Sequence, residues 1–200
     1  MKIIQCLVRG CILLASVAAF SGTANAQVGG TGWTRWYPSF SVQEVGSGDV
    51  NGDTFKLTST SSSGEHRAER RYQTTTSGRS QFEGTLKIVS MSGDRIAVAQ
   101  CFKDKDGANS ILGYKKPGTL YQVRHGQYDV GSLRIGDTIR VNTIINTSNG
   151  VCEIWLNGSK KDGVSEGSGD YYHKLGAYRT SSGRGPITVQ WTNVKFWRKS

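Results

Sequence analysis

The stretch TIRVNTIINTSNGVCEIWLNG, residues 138–158, decides the fold. Its first half places Ile139, Val141, Thr143 and Ile145 on one side, and its second half places Cys152, Ile154 and Leu156 on one side. A period of two is the spacing of a strand with one buried face. Between the halves stands Thr147-Ser148-Asn149-Gly150, a run of turn residues, so the stretch reads as a β-hairpin. Working outward, FEGTLKIVS (82–90), RIAVAQCF (95–102), TFKLTST (54–60) and PITVQWTNVKFW (186–197) repeat the short alternating pattern. The last changes its alternation near Thr192, as a β-bulge would require. The 26 glycines against 3 prolines fall largely between these runs, and no long 3.6-period apolar stripe follows the first 26 residues. Many short strands with turn signals predict an all-β sandwich, jelly roll or barrel.

The chain opens MKIIQCLVRGCILLASVAAFSGTANAQ, with Lys2 and Arg9 ahead of an apolar run and a small-residue ANA before Gln27. This has the layout of a cleaved secretory signal, 1–26, leaving one domain over 27–200 and an exported protein. No other segment is apolar enough to span a membrane. Without Lys2 and Arg9, 23 Lys and Arg remain against 15 Asp and Glu. That excess favours an anionic partner, and for an exported chain an acidic polysaccharide fits better than nucleic acid or a membrane. Cys101 and Cys152 are the cysteines outside the signal, and export allows them a disulfide, which we expect. DVNGDTF (49–55) spaces Asp49, Asn51 and Asp53 like the start of a calcium loop. Its glycine is misplaced and its closing acid is missing, so a turn is the expected reading.

Three further strings carry chemistry. In EHRAERRY (65–72), alternation puts Arg67, Glu69 and Arg71 on one face and His66, Ala68 and Arg70 on the other. Glu69 between two guanidinium groups can hold them in place for carboxylate recognition. In AVAQCF (97–102), Gln100 is an amide in an apolar run and needs a partner, while Cys101 turns to the core. In YYHKLGAY (171–178), Tyr172, Lys174, Gly176 and Tyr178 share a face, with Gly176 leaving room for a sugar ring.

Together these strings resemble the motifs of the alginate-lyase-like polysaccharide lyases of family 7, with features of the family 20 glucuronan lyases. The family 7 motif R-[TS]-E-L-R stands here as RAERR, Q-[IV]-H as QCF, and Y-F-K-A-G-x-Y as YHKLGAY, in the family order. The resemblance implies a two-sheet, concanavalin-like jelly roll with a concave cleft. It also implies cleavage of a 1,4-linked polyuronate by β-elimination, in a monomer that needs no cofactor. It implies Tyr178, Gln100 and Arg67 as catalytic residues and Arg71, Lys174, Tyr172 and Glu69 as substrate-binding ones. The motif histidine is replaced by Phe102, which transfers no proton. Glucuronan lyases resemble this chain in not relying on that histidine, and His66 is the candidate replacement, with His125 and His173 as further possibilities. A non-catalytic, lectin-like jelly roll using the same cleft is the competing expectation. A glycoside hydrolase would need two free carboxylates, and these strings offer only Glu69.

Overall fold

The structure, a computed structural model, describes residues 27–181 and 183–200. The expected signal sequence lies outside the described residues. Fifteen strands form among the described residues: β1 Thr34–Trp36, β2 Phe40–Val45, β3 Gly48–Asn51, β4 Thr54–Leu57, β5 Arg67–Tyr72, β6 Arg79–Met91, β7 Arg95–Lys103, β8 Gly107–Lys115, β9 Thr119–Gln122, β10 Asp129–Ser132, β11 Thr138–Asn146, β12 Val151–Leu156, β13 Ser159–Ser165, β14 Tyr171–Tyr178 and β15 Ile187–Lys199. No helix occurs among the described residues.

The strands make two antiparallel sheets. One, of eight strands, runs β13-β12-β11-β6-β15-β4-β3 with β1 added on β15; the other, of seven, runs β10-β9-β8-β7-β14-β5-β2. The opening hairpin is β11–β12, with Thr143 opposite Ile154 and Ile145 opposite Cys152. Its apolar sides face inward as the alternation requires. Leu86 and Ile88 of β6 join them from the eight-stranded sheet, and Ala68, Ile96, Leu175 and Ala177 close the same core from the other. Trp191 and Phe82 sit edge to face within it, 5.3 Å between ring centres. The jelly roll is therefore a two-layer sandwich with a large apolar core and a smaller buried cluster of Cys101, Ile145, Cys152 and Tyr171 beside it.

Two irregularities matter. β15 slips register against β6 between Thr192 and Lys195, with Asn193 at a positive φ of 55°, where the sequence alternation changes. β14 slips against β7 between Leu175 and Tyr178, and Gly176 there has φ 140°. A Cβ on Gly176 would stand 2.2 Å from the Ala68 carbonyl oxygen. The glycine therefore makes room for the backbone of β5, not for a sugar ring as the sequence suggested.

One other expectation changes, the disulfide, and one holds, the turn at 49–55. Cys101 and Cys152 do meet, in one buried cluster with Ile145 and Tyr171, but both are free thiols. Asn109 Nδ2 donates to the Cys152 sulfur at 3.3 Å, and the Cys101 thiol is drawn down to about 6 by Cys152 and, more weakly, by His173. The stretch around Asp49, Asn51 and Asp53 is the β3–β4 hairpin, and Asp53 pairs with Arg70 at 3.2 Å.

Gly176→Ala combines a strained φ with a backbone clash. It should lower unfolding free energy by about 2 kcal/mol or more, read from the denaturant midpoint. An unchanged midpoint would show that β5 and β14 can separate without cost.

Candidate active site

The three motif strings become three adjacent strands, β7, β14 and β5, running from the centre of the seven-stranded sheet toward its β2 edge. Pairing places Arg67 opposite Tyr178, Glu69 opposite Gly176 and Arg71 opposite Lys174, while Lys174 also stands opposite Gln100 and Tyr172 opposite Phe102. All these side chains leave the sheet on its outer side, since the alternate residues Ala68, Cys101, Leu175 and Ala177 enter the core. A slipped register on any one strand would have scattered them.

Glu69 is the centre. It is 2% exposed, and its carboxylate accepts from Gln100 Nε2 at 2.5 Å and from Lys174 Nζ at 3.2 Å, with Arg67 Nε 3.9 Å away. Burial pushes its pKa up, opposed by Lys174 and Arg67. Burial pushes the Lys174 pKa down, opposed by Glu69. Each charge persists in the interior because the other is there. Glu69 and Lys174, both expected to touch substrate, instead hold each other. Gln100 gives one N–H to Glu69 and keeps its second to donate outward.

The arginines flank this pair. Arg67 lies 5.2 Å from the Tyr178 ring centre, reaches Gln43 of β2 at 3.3 Å and pairs with Glu65. Arg71 is not held by Glu69 as expected: it pairs with Asp104 at 3.6 Å and lies 4.1 Å over the Tyr172 ring. Tyr172 is itself stacked on Phe102, 5.0 Å between centres and 18° between planes, and burial raises its pKa. It is only 5% exposed, so it builds the wall of the cleft rather than offering a face to a ligand. Where the family motif has histidine, this chain thus has an aromatic stack, with Lys174 Nζ 5.3 Å from the Phe102 ring. Ala97, Ala108, Ile111 and Val123 pack with Phe102 and the half-buried Tyr178, forming an apolar side to the cleft. Gln43, Glu65, Asp104 and these apolar residues were not singled out from sequence. For Gln43 the signal was present: it alternates with Ser41 and Val45 in FSVQEV.

Each of the three histidine rings is engaged by other groups of the protein. His66 precedes β5; its Nδ1 accepts from the Ser47 N–H at 3.0 Å, so its Nε2 is the protonated nitrogen and faces the Ser63 carbonyl at 3.2 Å. Both ring nitrogens are occupied by loop backbone, which argues against the expected catalytic role. His173 is in the core between Ser80 and Thr143, at 3.1 and 2.9 Å. His125 binds the Asn109 carbonyl at 3.0 Å.

No protein-family model matches the chain, and no curated protein does. The fold itself is that of the alginate lyases of polysaccharide lyase family 7. The family 7 alginate lyase AlgAT5 superposes with a TM-score of 0.58 at 18% identity, covering 74% of this chain and 81% of that one. Alginate lyase AlyC3 in complex with dimannuronate gives 0.57 at 10% identity, with 74% of each chain covered. The marine alginate lyase AlyA1 from Zobellia galactanivorans gives 0.56 at 14% identity, over 82% and 94%.

Lys174→Met should cost about 3–5 kcal/mol at neutral pH by leaving Glu69 buried without its nearest cation. Because the folded-state pKa of Glu69 is raised, folding takes up a proton. The variant's stability is then greatest in acid and falls as pH rises from the unfolded carboxylate pKa through the folded one. The double variant Glu69→Gln, Lys174→Met should recover most of the loss and flatten the dependence. Urea melts from pH 4 to pH 8, roughly the span over which a buried carboxylate titrates, would show this; equal slopes for both variants would refute it.

Proposed function

We propose that the protein is an exported lyase of 1,4-linked polyuronates, acting on the mannuronate of alginate, with Tyr178 as the proton-transfer residue. The observation that carries this is the convergence of Arg67, Gln100 and Tyr178 on one sheet face by strand pairing. The solved complex of a structurally similar protein with dimannuronate supports the substrate class. The motif-like strings RAERR and YHKLGAY support the reaction.

Elimination begins by removing the proton on C5, beside the carboxylate. That proton is poorly acidic, because the electron pair must move toward a group already negative. Donors aimed at the carboxylate stabilise the developing enolate and so lower the barrier. Arg67 supplies a cation and Gln100 a free amide N–H. Glu69 orients both while its own charge is balanced by Lys174. A base takes the C5 proton, the bond from C4 to the leaving oxygen breaks as the C4–C5 double bond forms, and an acid protonates the departing oxygen.

In mannuronate and glucuronate the C5 proton and the leaving oxygen lie on the same side, so one phenol can serve as base and then as acid. In guluronate they lie on opposite sides, which calls for a second proton-transfer residue. At the position of the motif histidine, Phe102 is stacked on Tyr172 and offers none. Guluronate blocks are therefore poor substrates in this reading. The glucuronan alternative rested on the absent motif histidine together with His66; the His66 ring is held by the loop, so mannuronate is preferred here.

Incubation with polymannuronate, polyguluronate and glucuronan, followed by ultraviolet absorbance of the unsaturated product, tests the reading. Polymannuronate should be cut fastest. Tyr178→Phe should lower kcat by about 10²–10⁴-fold, the usual contribution of a general acid–base group, while retaining binding. Tyr172→Phe keeps the ring stack and should stay near parental activity. Arg67→Ala should impair both KM and kcat. If the parent releases no unsaturated uronate yet binds polyuronate through Arg67, the lectin-like reading replaces this one.

A further inference from the structure

The other broad surface of the sandwich, the outer side of the eight-stranded sheet, is not a plain solvated face. Residues 27–33 lie across it. Val28 is fastened by both its backbone groups to the Gln81 side chain, at 3.0 and 2.9 Å, and packs with Trp33, Ile144, Trp155 and Trp197. A Cβ on Gly29 would meet Ile144 at 2.6 Å and Arg79 Nη2 at 3.6 Å, so this strap packs against two residues that line a hollow. The hollow, ≈ 350 Å³, is lined by Arg79, Ile144, Asn146, Asn149, Val151, Glu153 and Lys160. It is separated from the cleft by both sheets, because Ser80, Ile145 and Cys152, which alternate with its lining, are buried.

Its polar groups are unequal in number and sign. Glu153 is used twice, by Lys160 Nζ at 2.7 Å and by Trp155 Nε1 at 2.9 Å. Asn146 Oδ1 accepts from Ser148, at 2.8 Å from its hydroxyl, and Asn149 Oδ1 accepts from the Val151 N–H at 3.1 Å. Their amide nitrogens are left to donate. Arg79 lies 5.5 Å over the Trp33 ring and takes part in no ion pair among the described residues; its buried Nε has no partner. The hollow therefore holds one uncompensated guanidinium, two amide donors, and an apolar floor of Ile144 and Val151.

We propose that this hollow is a second binding site, taking one carboxylate-bearing sugar unit of an acidic polysaccharide, with Arg79 as the carboxylate ligand. A guanidinium stacked on an indole is pre-organised to grip a carboxylate with two N–H groups. The asparagine nitrogens suit ring hydroxyls, and the apolar floor suits the C–H face of a sugar. The site does no chemistry. It adds a second grip on a long chain, so its effect is on polymers and not on short oligomers.

The test is electrophoresis through gels containing polymannuronate or a neutral glucan, with Tyr178→Phe protein so that the polymer stays whole. Adding Arg79→Gln should weaken retention by polymannuronate roughly tenfold, the effect of losing one charge-assisted pair, and Arg79→Lys should restore part of it. Asn146→Asp, which leaves the Arg79–Trp33 stack untouched, should weaken retention as well by cancelling the free charge. With Tyr178 intact, Arg79→Gln should cleave a mannuronate trimer at the parental rate. Parental retention by both Arg79→Gln and Asn146→Asp, or equal retention by the neutral glucan, overturns the site. The retention measurement needs no turnover, so an inactive parent would refute the lyase reading and leave this one to stand or fall by itself.

Discussion

The carboxylate of Glu69 is the constraint on which the cleft depends. It comes from β5, its cation Lys174 from β14, and its amide donor Gln100 from β7. A charge this deep in the sheet surface is tolerable only with partners in place, so the three strands must keep their register for the network to exist. The same register sets Arg67 against Tyr178 and Arg71 against Lys174. Strand register and site geometry are thus tied at one point: the group that locks the strands also holds the guanidinium and the amide beside it.

The two outer faces of the sandwich are built differently for a physical reason. On the seven-stranded sheet, the bulge at Gly176 bends β14 and brings β5 close, which gathers long polar side chains over a short span. On the eight-stranded sheet, the strap at 27–33 supplies the tryptophan side chain and backbone that cover Ile144 and turn Arg79 into a fixed, unpaired cation. One face concentrates charge pairs beside Tyr178; the other leaves Arg79 outside any ion pair among the described residues.

Much of this was legible before any coordinates. The hairpin 138–158 became β11–β12, the alternation change near Thr192 became a register slip, and the face assignments of Arg67, Glu69 and Arg71 and of Tyr172, Lys174 and Tyr178 hold, because a period of two leaves little freedom in where a side chain points. What alternation does not carry is which of several groups on one face will pair. Arg71 chose Asp104 over Glu69, and Lys174 chose Glu69 over the open cleft. His66 stands as the candidate replacement for the motif histidine, but its ring makes a loop contact with Ser47. The cysteines were expected to bond and lie together as thiols.

The linear chain by itself determined the strand content, the inward and outward faces, the basic balance and the three strings in their order, since each depends on local stereochemistry and composition. Tertiary structure alone decided that β5, β14 and β7 are neighbours, that Glu69 is buried and neutralised, that Gly176 serves the backbone, and that Phe102 closes onto Tyr172. These depend on register and on the desolvation of charge. Both are properties of strands brought together across long sequence separations, and neither is expressed in any single stretch.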